Sequence, residues 1–125
     1  MWRYFKFVPL LLMLALSSVI ASEIESRNSI PERFHGNWAP HADNCNKSHI
    51  QNLWIGPTSL EFYESTGIAI SIAVKNQREL ALIVDFSGEG YEWIGFVHFR
   101  ISKDGDLLTD IESPNLENQI KRVKC

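Results

Sequence analysis

The feature that most constrains this chain is an alternation of apolar and polar residues, repeated over successive segments between residues 59 and 111. The alternating apolar positions are Ile68, Ile70, Ile72 and Val74, then Leu80, Leu82, Val84 and Phe86, then Trp93, Gly95, Val97, Phe99 and Ile101. A period of two is typical of antiparallel strands with one buried face. We therefore predict an all-β fold: a small antiparallel up-and-down barrel or strongly curved sheet of about seven strands, with little helix. A two-sheet β-sandwich is the alternative.

The first hairpin of this stretch has a predictable register. A three-residue loop at residues 76–78 would place Val74 opposite Leu80, and the same ladder continued would place Ile68 opposite Phe86. A two-residue loop would instead bring Val74 opposite a glutamate and mix the two faces of the sheet. The longer loop is therefore the predicted one.

The second hairpin is predicted to turn through a four-residue loop at residues 87–90, which would place Phe86 opposite Tyr91. This register leaves three apolar side chains on neighbouring strands pointing away from the core: Ile83, Ile94 and Phe96. Single exposed apolar residues are ordinary, whereas an adjacent set on a small domain indicates a contact surface. We predict that these residues bind a partner or a second copy, so a homodimer is one possibility. The alternative is that another segment of the chain covers them.

Residues 1–21 predict a cleaved signal peptide. Arg3 and Lys6 give a positively charged start, an apolar run follows at residues 8–20, and small residues precede a cut after Ala21. The run is short for a membrane span, and an uncleaved anchor is the alternative. We expect a periplasmic or secreted protein without a membrane span in its mature form. It would have a flexible N-terminus at residues 22–29 and a single β domain at residues 30–125.

Charge and motifs narrow the function classes. Loss of Arg3 and Lys6 changes the formal charge from -3 to -5, and a mildly acidic domain argues against nucleic acid as a partner. The sequence has no G-x-S-x-G, no H-E-x-x-H and no glycine-rich phosphate loop, so we assign no catalytic residue and no cofactor.

His35, His41, Asp43 and His49 lack the spacing of metal ligands, and we interpret them as a polar loop.

The two cysteines, Cys45 and Cys125, both lie in the exported part of the chain. Two cysteines in an oxidising compartment most simply form one disulfide. That bond would tie the end of the chain to the loop after Trp38. The chain-entropy estimate of its stabilisation is about 4.5 kcal/mol, as an upper figure.

Gly36 and Trp38 form a G-x-W motif that resembles the opening of lipocalins. The resemblance implies a small barrel with a bent first strand and a buried indole. In lipocalins an arginine of the last strand packs across this tryptophan, and the resemblance implies that role for Arg122 through a cation–π contact. It implies no particular ligand.

A second resemblance covers most of the mature chain. It rests on F-x-G-x-W-A at residues 34–39, on Cys45, on L-x-F-Y-E-S-x-G at residues 60–67 and on a closing R-V-x-C at residues 122–125. These motifs are similar to those of an uncharacterised family of small exported proteins of Gram-negative bacteria. The resemblance implies export, the disulfide and one domain, and supplies no catalytic residue.

The segment at residues 60–67 is the first candidate for ligand binding. Alternation through Leu60 and Phe62 would direct Glu64 towards the apolar side, where a carboxylate needs a partner or an open cavity. The alternative is that residues 64–67 are a turn. The candidate ligand-binding residues are Tyr63, Glu64 and Trp93.

The favoured function is an exported, non-enzymatic binding module. It would hold a small apolar ligand in its interior or dock on an envelope protein. The alternative is a small periplasmic hydrolase or metal-dependent enzyme that uses Glu64 and histidines. An interior cavity would favour the ligand, a filled core with an exposed apolar patch would favour docking, and two titratable groups converging in a cleft would favour catalysis.

Overall fold

A computed structural model describes residues 23–125, so the predicted signal peptide lies outside the described residues. This part of the chain contains nine strands: β1 (Ile24–Arg27), β2 (Gly36–Ala39), β3 (Leu53–Ile55), β4 (Ser59–Glu61), β5 (Thr66–Lys75), β6 (Glu79–Gly88), β7 (Tyr91–Ile101), β8 (Leu107–Asp110) and β9 (Lys121–Lys124). Single 3-10 turns lie at Glu32–Phe34, Ala42–Asn44 and Leu116–Asn118. Across residues 23–125, no helix is both long and apolar enough to cross a membrane.

The strands form one closed sheet in which neighbours are antiparallel. Its order is β5-β4-β3-β2-β9-β8-β7-β6, and β6 pairs back onto β5. The fold is therefore a closed eight-stranded antiparallel barrel with β1 as an additional strand, which confirms the all-β barrel prediction. The predicted count of about seven strands was slightly low.

The additional strand β1 lies in the segment that was expected to be flexible. The short β4 pairs with only the first part of β5, at Thr66, Gly67 and Ile68. The remainder of that edge of β5 would present unpaired backbone groups, which favour the addition of a strand. β1 pairs there, with Ile24 opposite Lys75 and Arg27 opposite Ile72.

The barrel interior contains the alternating apolar side chains. The largest of the side chains that are almost completely buried are Trp38, Phe34, Phe99, Ile30, Leu53, Ile55, Leu60, Leu80, Leu82, Ile101 and Leu108. Trp38 lies within this core, and its Nε1 donates a hydrogen bond of 3.0 Å to the carbonyl oxygen of Phe34. The cation over its ring is Lys124, with Nζ 5.3 Å from the ring centroid. The structure therefore gives Lys124 the role that the lipocalin resemblance implied for Arg122.

Arg122 instead forms a buried ion pair inside the barrel. Its side chain is 3% exposed, its Nη1 lies 2.6 Å from Asp110 Oδ1 and its Nε donates to the carbonyl oxygen of Gln51 at 2.7 Å. Burial raises the pKa of Asp110, and the charge and hydrogen bond of Arg122 act in the opposite direction. The guanidinium is thus what allows a carboxylate at this position.

Replacement of Arg122 tests this pair. Arg122→Met should lower the free energy of unfolding by about 3–5 kcal/mol at neutral pH, because it leaves an uncompensated buried charge. Without the guanidinium the pKa of Asp110 rises further, so the loss should shrink as the pH falls and Asp110 takes up a proton. Urea denaturation at neutral and acidic pH measures both effects.

The matched control is the double variant Arg122→Met/Asp110→Asn, which removes both charges. It should recover a large part of the stability lost by the single variant and should show little of its pH dependence. A single variant as stable as the parent at neutral pH would contradict this account of the pair.

The predicted disulfide is confirmed. Cys45 and Cys125 are bonded with a Cα–Cα distance of 5.6 Å. The bond joins the end of β9 to the 3-10 turn Ala42–Asn44, and the backbone N–H of Cys125 also donates to the carbonyl oxygen of Asn37 at 2.8 Å. Cys125 is therefore held both against β2 and against the turn that follows it.

The register of the first hairpin is as predicted near its loop and differs further away. Val74 pairs with Leu80, but a β-bulge between Ala69 and Ser71 shifts the ladder by one residue. Gly67, and not Ile68, is then opposite Phe86. The prediction that Ile68 and Ile70 point inward was therefore wrong, since both are exposed.

The space around Phe86 explains this shift. A Cβ atom on Gly67 would lie 2.4 Å from Val84 Cγ1 and 3.1 Å from Phe86 Cδ1, and one on Gly95 would lie 2.7 Å from Phe86 Cε2. Only glycine fits on either side of this ring. The bulge brings Gly67 into the position that an unbroken ladder would have given to Ile68.

The second hairpin turns through two residues rather than four. Glu89 and Gly90 both have positive φ angles, of 53° and 86°, as in the type I′ turn that matches the twist of a hairpin. Phe86 therefore pairs with Trp93 and not with Tyr91. The shift is by two residues, so the inward and outward faces stay as predicted.

Candidate functional site

The most unusual surface of the protein is on the outer side of β5, β6 and β7. Five large apolar side chains are exposed there: Ile68 (60%), Ile70 (58%), Ile83 (40%), Ile94 (62%) and Phe96 (54%). We call these five residues the outer apolar face. Ile83, Ile94 and Phe96 were predicted to lie together, and Ile83 is directly paired with Phe96. The bulge in β5 adds the two further isoleucines.

A single acidic residue lies within the outer apolar face. Asp85 pairs with Ile68 on one side and with Ile94 on the other, so the three form one row across the strands. Asp85 is exposed and forms no ion pair with any residue of the described part of the chain. Any molecule that covers this face would bury the carboxylate, and a buried charge is costly unless a cation accompanies it.

The two ends of the same strands differ in charge. Beyond Asp85 the next outward row contains Ser87 and Glu92, and Glu92 is exposed and has no ion pair within residues 23–125. At the opposite end a row of Lys75, Glu79 and Arg100 crosses the strands. Two cations flank one carboxylate there, whereas the Glu92 row contains no cation.

The end with the two cations also has a hollow. It has a volume of about 270 Å³, and its lining includes Ile24, Ala73, Ala81 and His98. Ala73, Ala81 and His98 form one row across the strands, next to the row that contains Ile83 and Phe96. The small alanine side chains leave this part of the surface lower than the part that carries the isoleucines.

His98 connects the hollow to the cationic end. Its Nε2 lies 3.2 Å from Glu79 Oε1, and its ring centroid is 5.8 Å from that of Phe96. Glu79 Oε2 lies 3.8 Å from Arg100 Nη2. The carboxylate of Glu79 is thus already paired within the chain, while Lys75 forms no ion pair within residues 23–125.

The predicted ligand-binding residues do not all meet. Glu64 and Trp93 line one open hollow of about 260 Å³ together with Glu89 and Tyr91. Tyr63 lines a different hollow, whose other residues include His49, Trp54 and Glu61. The ring of Trp93 stacks on Phe86 with 5.4 Å between centroids, so it belongs partly to the core.

Glu64 lies in a turn and not on the inward face of a strand. β4 ends at Glu61, and the backbone N–H of Phe62 donates to the carbonyl oxygen of Ser65 at 2.8 Å. The carboxyl of Glu64 is exposed and adjoins that of Glu89. A hydrogen bond with Glu89 and the negative charge of that residue raise the pKa of Glu64 above its ordinary value.

The two carboxyls predict a pH-dependent stability. Because the pKa of Glu64 is raised in the folded state, its contribution is fully present at acidic pH and is lost as the pH rises through that value. Glu64→Gln, which mimics the protonated form, should therefore raise the melting temperature at neutral pH and leave it unchanged in acid. Thermal unfolding at both pH values measures this difference.

Glu117→Gln is the matched control, since it removes one exposed carboxylate from the distant turn Leu116–Asn118. An equal rise in melting temperature for both variants at neutral pH would mean that net charge, and not the contact with Glu89, causes the effect.

The histidines of the polar segment have local structural roles. His35 Nε2 lies 2.6 Å from the carbonyl oxygen of Ile30, and His49 Nδ1 accepts a hydrogen bond from the backbone of Gln51 at 3.0 Å. In residues 23–125 no group of three or more histidine, cysteine or acidic side chains is positioned to hold a metal ion.

Comparisons with protein-family profiles, with curated proteins and with solved structures find no match to this chain.

Sequence reasoning did not assign Ile68 and Ile70 to the outer apolar face, and it did not place Asp85 between its side chains. The first two were assigned to the core because they continue an unbroken alternation. The available signal was Gly67, since a glycine inside a strand often marks a bulge or a close approach by another group. Once the bulge is in place, the row that joins Ile68, Asp85 and Ile94 follows.

Proposed function

We propose that this protein is an exported, non-enzymatic binding module that docks on a protein of the cell envelope through the outer apolar face. The observation that carries the proposal is the distribution of apolar side chains on three neighbouring strands. The inward residues of β5, β6 and β7 fill the core, and the outward residues include five large apolar side chains in contact with solvent. A contiguous exposed apolar patch on a small domain is characteristic of a protein contact surface.

An apolar ligand inside the barrel is less well supported. The inward side chains of β6 and β7 are closely packed, and Leu82, Val84 and Val97 are at most 7% exposed. Ligand sites are usually concave pockets of roughly 300–1,000 Å³ that enclose most of the ligand. The hollows next to Glu64 and next to Ala73 are smaller and open to solvent.

A hydrolase that uses Glu64 also has little support. The group next to this carboxyl is Glu89, and among the described residues no histidine lines their hollow. Two exposed carboxyls on turns lack the oriented donors and the exclusion of water on which catalytic sites depend.

Export is part of the proposal and is supported by three independent features. Cys45 and Cys125 form a disulfide, and disulfides persist mainly in oxidising compartments. The first 21 residues have the sequence pattern of a signal peptide. The motifs at residues 34–39 and 60–67 resemble those of small exported bacterial proteins.

Site-specific photocrosslinking in the cell that exports the protein tests this function. A photoreactive amino acid at Ile83 or Ile94 should form covalent adducts with one defined protein, because these side chains would lie inside the contact. The same amino acid at Ile50 or Leu116, which are also exposed but lie outside the outer apolar face, should form none. Mass spectrometry identifies the adducts.

A second measurement separates docking from ligand carriage. Native mass spectrometry of protein purified from its own compartment should show the bare chain or a protein complex. A co-purified small apolar molecule, together with an absence of adducts at Ile83 and Ile94, would overturn the docking proposal in favour of ligand binding.

A further inference from the structure

The side chains of the outer apolar face restrict the chemistry of the molecule that can cover it. Asp85 lies between Ile68 and Ile94, so the covering surface must be apolar and must also supply a cation close to this carboxylate. Glu92 lies one row further along, so a covering molecule must supply a cation there as well. A purely apolar partner would leave the charge of Asp85 buried without compensation.

We propose that the protein that covers the outer apolar face is a second copy of the same chain. The two copies would be related by a two-fold axis that lies between the two sheets and perpendicular to the strands. This inference rests on the proposed docking function and names its partner. Two-fold dimers are the commonest symmetric assemblies, and the same surface patch is used by both subunits.

Charge complementarity favours this arrangement. A two-fold axis perpendicular to the strands reverses their direction, so the end that carries Asp85 and Glu92 faces the end of the other copy that carries Lys75 and Arg100. Both acidic residues lack a cation within their own described chain. In this geometry Glu92 comes opposite Arg100 of the other copy, while Asp85 comes over that copy's Ala81, about 8 Å from the backbone of its Lys75 (one strand and two residues away), within reach of the long lysine side chain. The same pairs would form twice.

The register places these groups at matching distances from the centre. If the axis passes over the row of Ile83 and Phe96, the Asp85 row lies two residues to one side and the Ala81 row two residues to the other. At about 3.3 Å per residue, each row is about 7 Å from the axis. The rows of Glu92 and Arg100 lie about 13 Å away on opposite sides, so each would face the other in the dimer.

The shape of the face is also self-complementary. The half that contains Ile68 and Ile94 is raised by large side chains, whereas the half that contains Ala73 and Ala81 forms the hollow of about 270 Å³. Reversal of the strands brings the raised half of each copy over the hollow of the other. Ile83 and Phe96, at the centre, would pack against their own counterparts.

The contact is small, which sets the expected affinity. It consists mainly of five apolar side chains from each copy, and it therefore belongs at the lower end of the size range of specific interfaces, below about 1,200 Å² of total buried area. We expect a dissociation constant on the order of micromolar. The dimer would form at the concentrations reached in a confined compartment and dissociate on dilution.

Sedimentation velocity of the disulfide-bonded protein over a range of concentrations tests the proposal. The parent should change from monomer to dimer with concentration. Phe96→Ala should raise the dissociation constant at least about tenfold, because it removes the central aromatic contact. The matched controls Ile50→Glu and Leu116→Glu alter exposed apolar residues outside the face and should leave the constant unchanged.

A charge exchange tests the orientation of the two copies. Glu92→Arg and Arg100→Glu should each weaken the dimer about tenfold or more, since each places like charges opposite one another. The double variant Glu92→Arg/Arg100→Glu restores opposite charges and should recover most of the parent affinity. Circular dichroism checks that each variant keeps the fold, since Arg100 also contacts Glu79.

Three results would overturn the dimer. One is a parent that stays monomeric at every concentration, and another is a dimer that Phe96→Ala does not weaken. The third is a double charge variant that is weaker than both single variants, which would exclude the reversed orientation. If the protein is monomeric but a photoreactive group at Ile83 forms an adduct with a different protein, the docking function stands and only the identity of the partner is wrong.

Discussion

The packing of Phe86 determines the arrangement of the three long strands. Its ring fits between two positions that only glycine can occupy, Gly67 on β5 and Gly95 on β7. This contact fixes the register of β6 on both sides, because a shift in either direction would place a side chain against the ring. The bulge at Ala69 and the outward position of Ile68 follow from it. The surface to which we assign the function therefore depends on a contact inside the core.

The remaining strands hold this meander in a closed barrel. β9 is only four residues long, yet it joins β2 to β8 and closes the sheet. Its position is secured by the disulfide of Cys125, by the ion pair between Arg122 and Asp110, and by Lys124 over the Trp38 ring. A small domain has limited apolar burial, so these few contacts make up a large share of its stability.

The sequence was a good guide where local chemistry decides the structure. Alternation identified the long strands, the count of cysteines identified the disulfide, and the loop at residues 76–78 gave the correct pairing of Val74 with Leu80. The sequence was a poor guide where packing between residues far apart in the chain decides which face a side chain takes. Ile68 and Ile70 fit the inward pattern perfectly, and only the packing of the Phe86 ring against Gly67 shows why they turn outward. The partnership of Arg122 with Asp110 was equally inaccessible, because it depends on the inward direction of both side chains within the closed barrel.

The isoleucines of the outer apolar face contact solvent in the free protein, while those of the same strands on the other face do not. Paramagnetic broadening of isoleucine methyl signals, measured in dilute protein with a soluble uncharged nitroxide, tests it most directly. The account predicts strong broadening for Ile68, Ile70, Ile83 and Ile94, and little for Ile72 and Ile101. Protection of Ile68 and Ile70 to the same degree as Ile72 would show that β5 has no bulge, since an unbroken strand places all three on one face, and would contradict this packing.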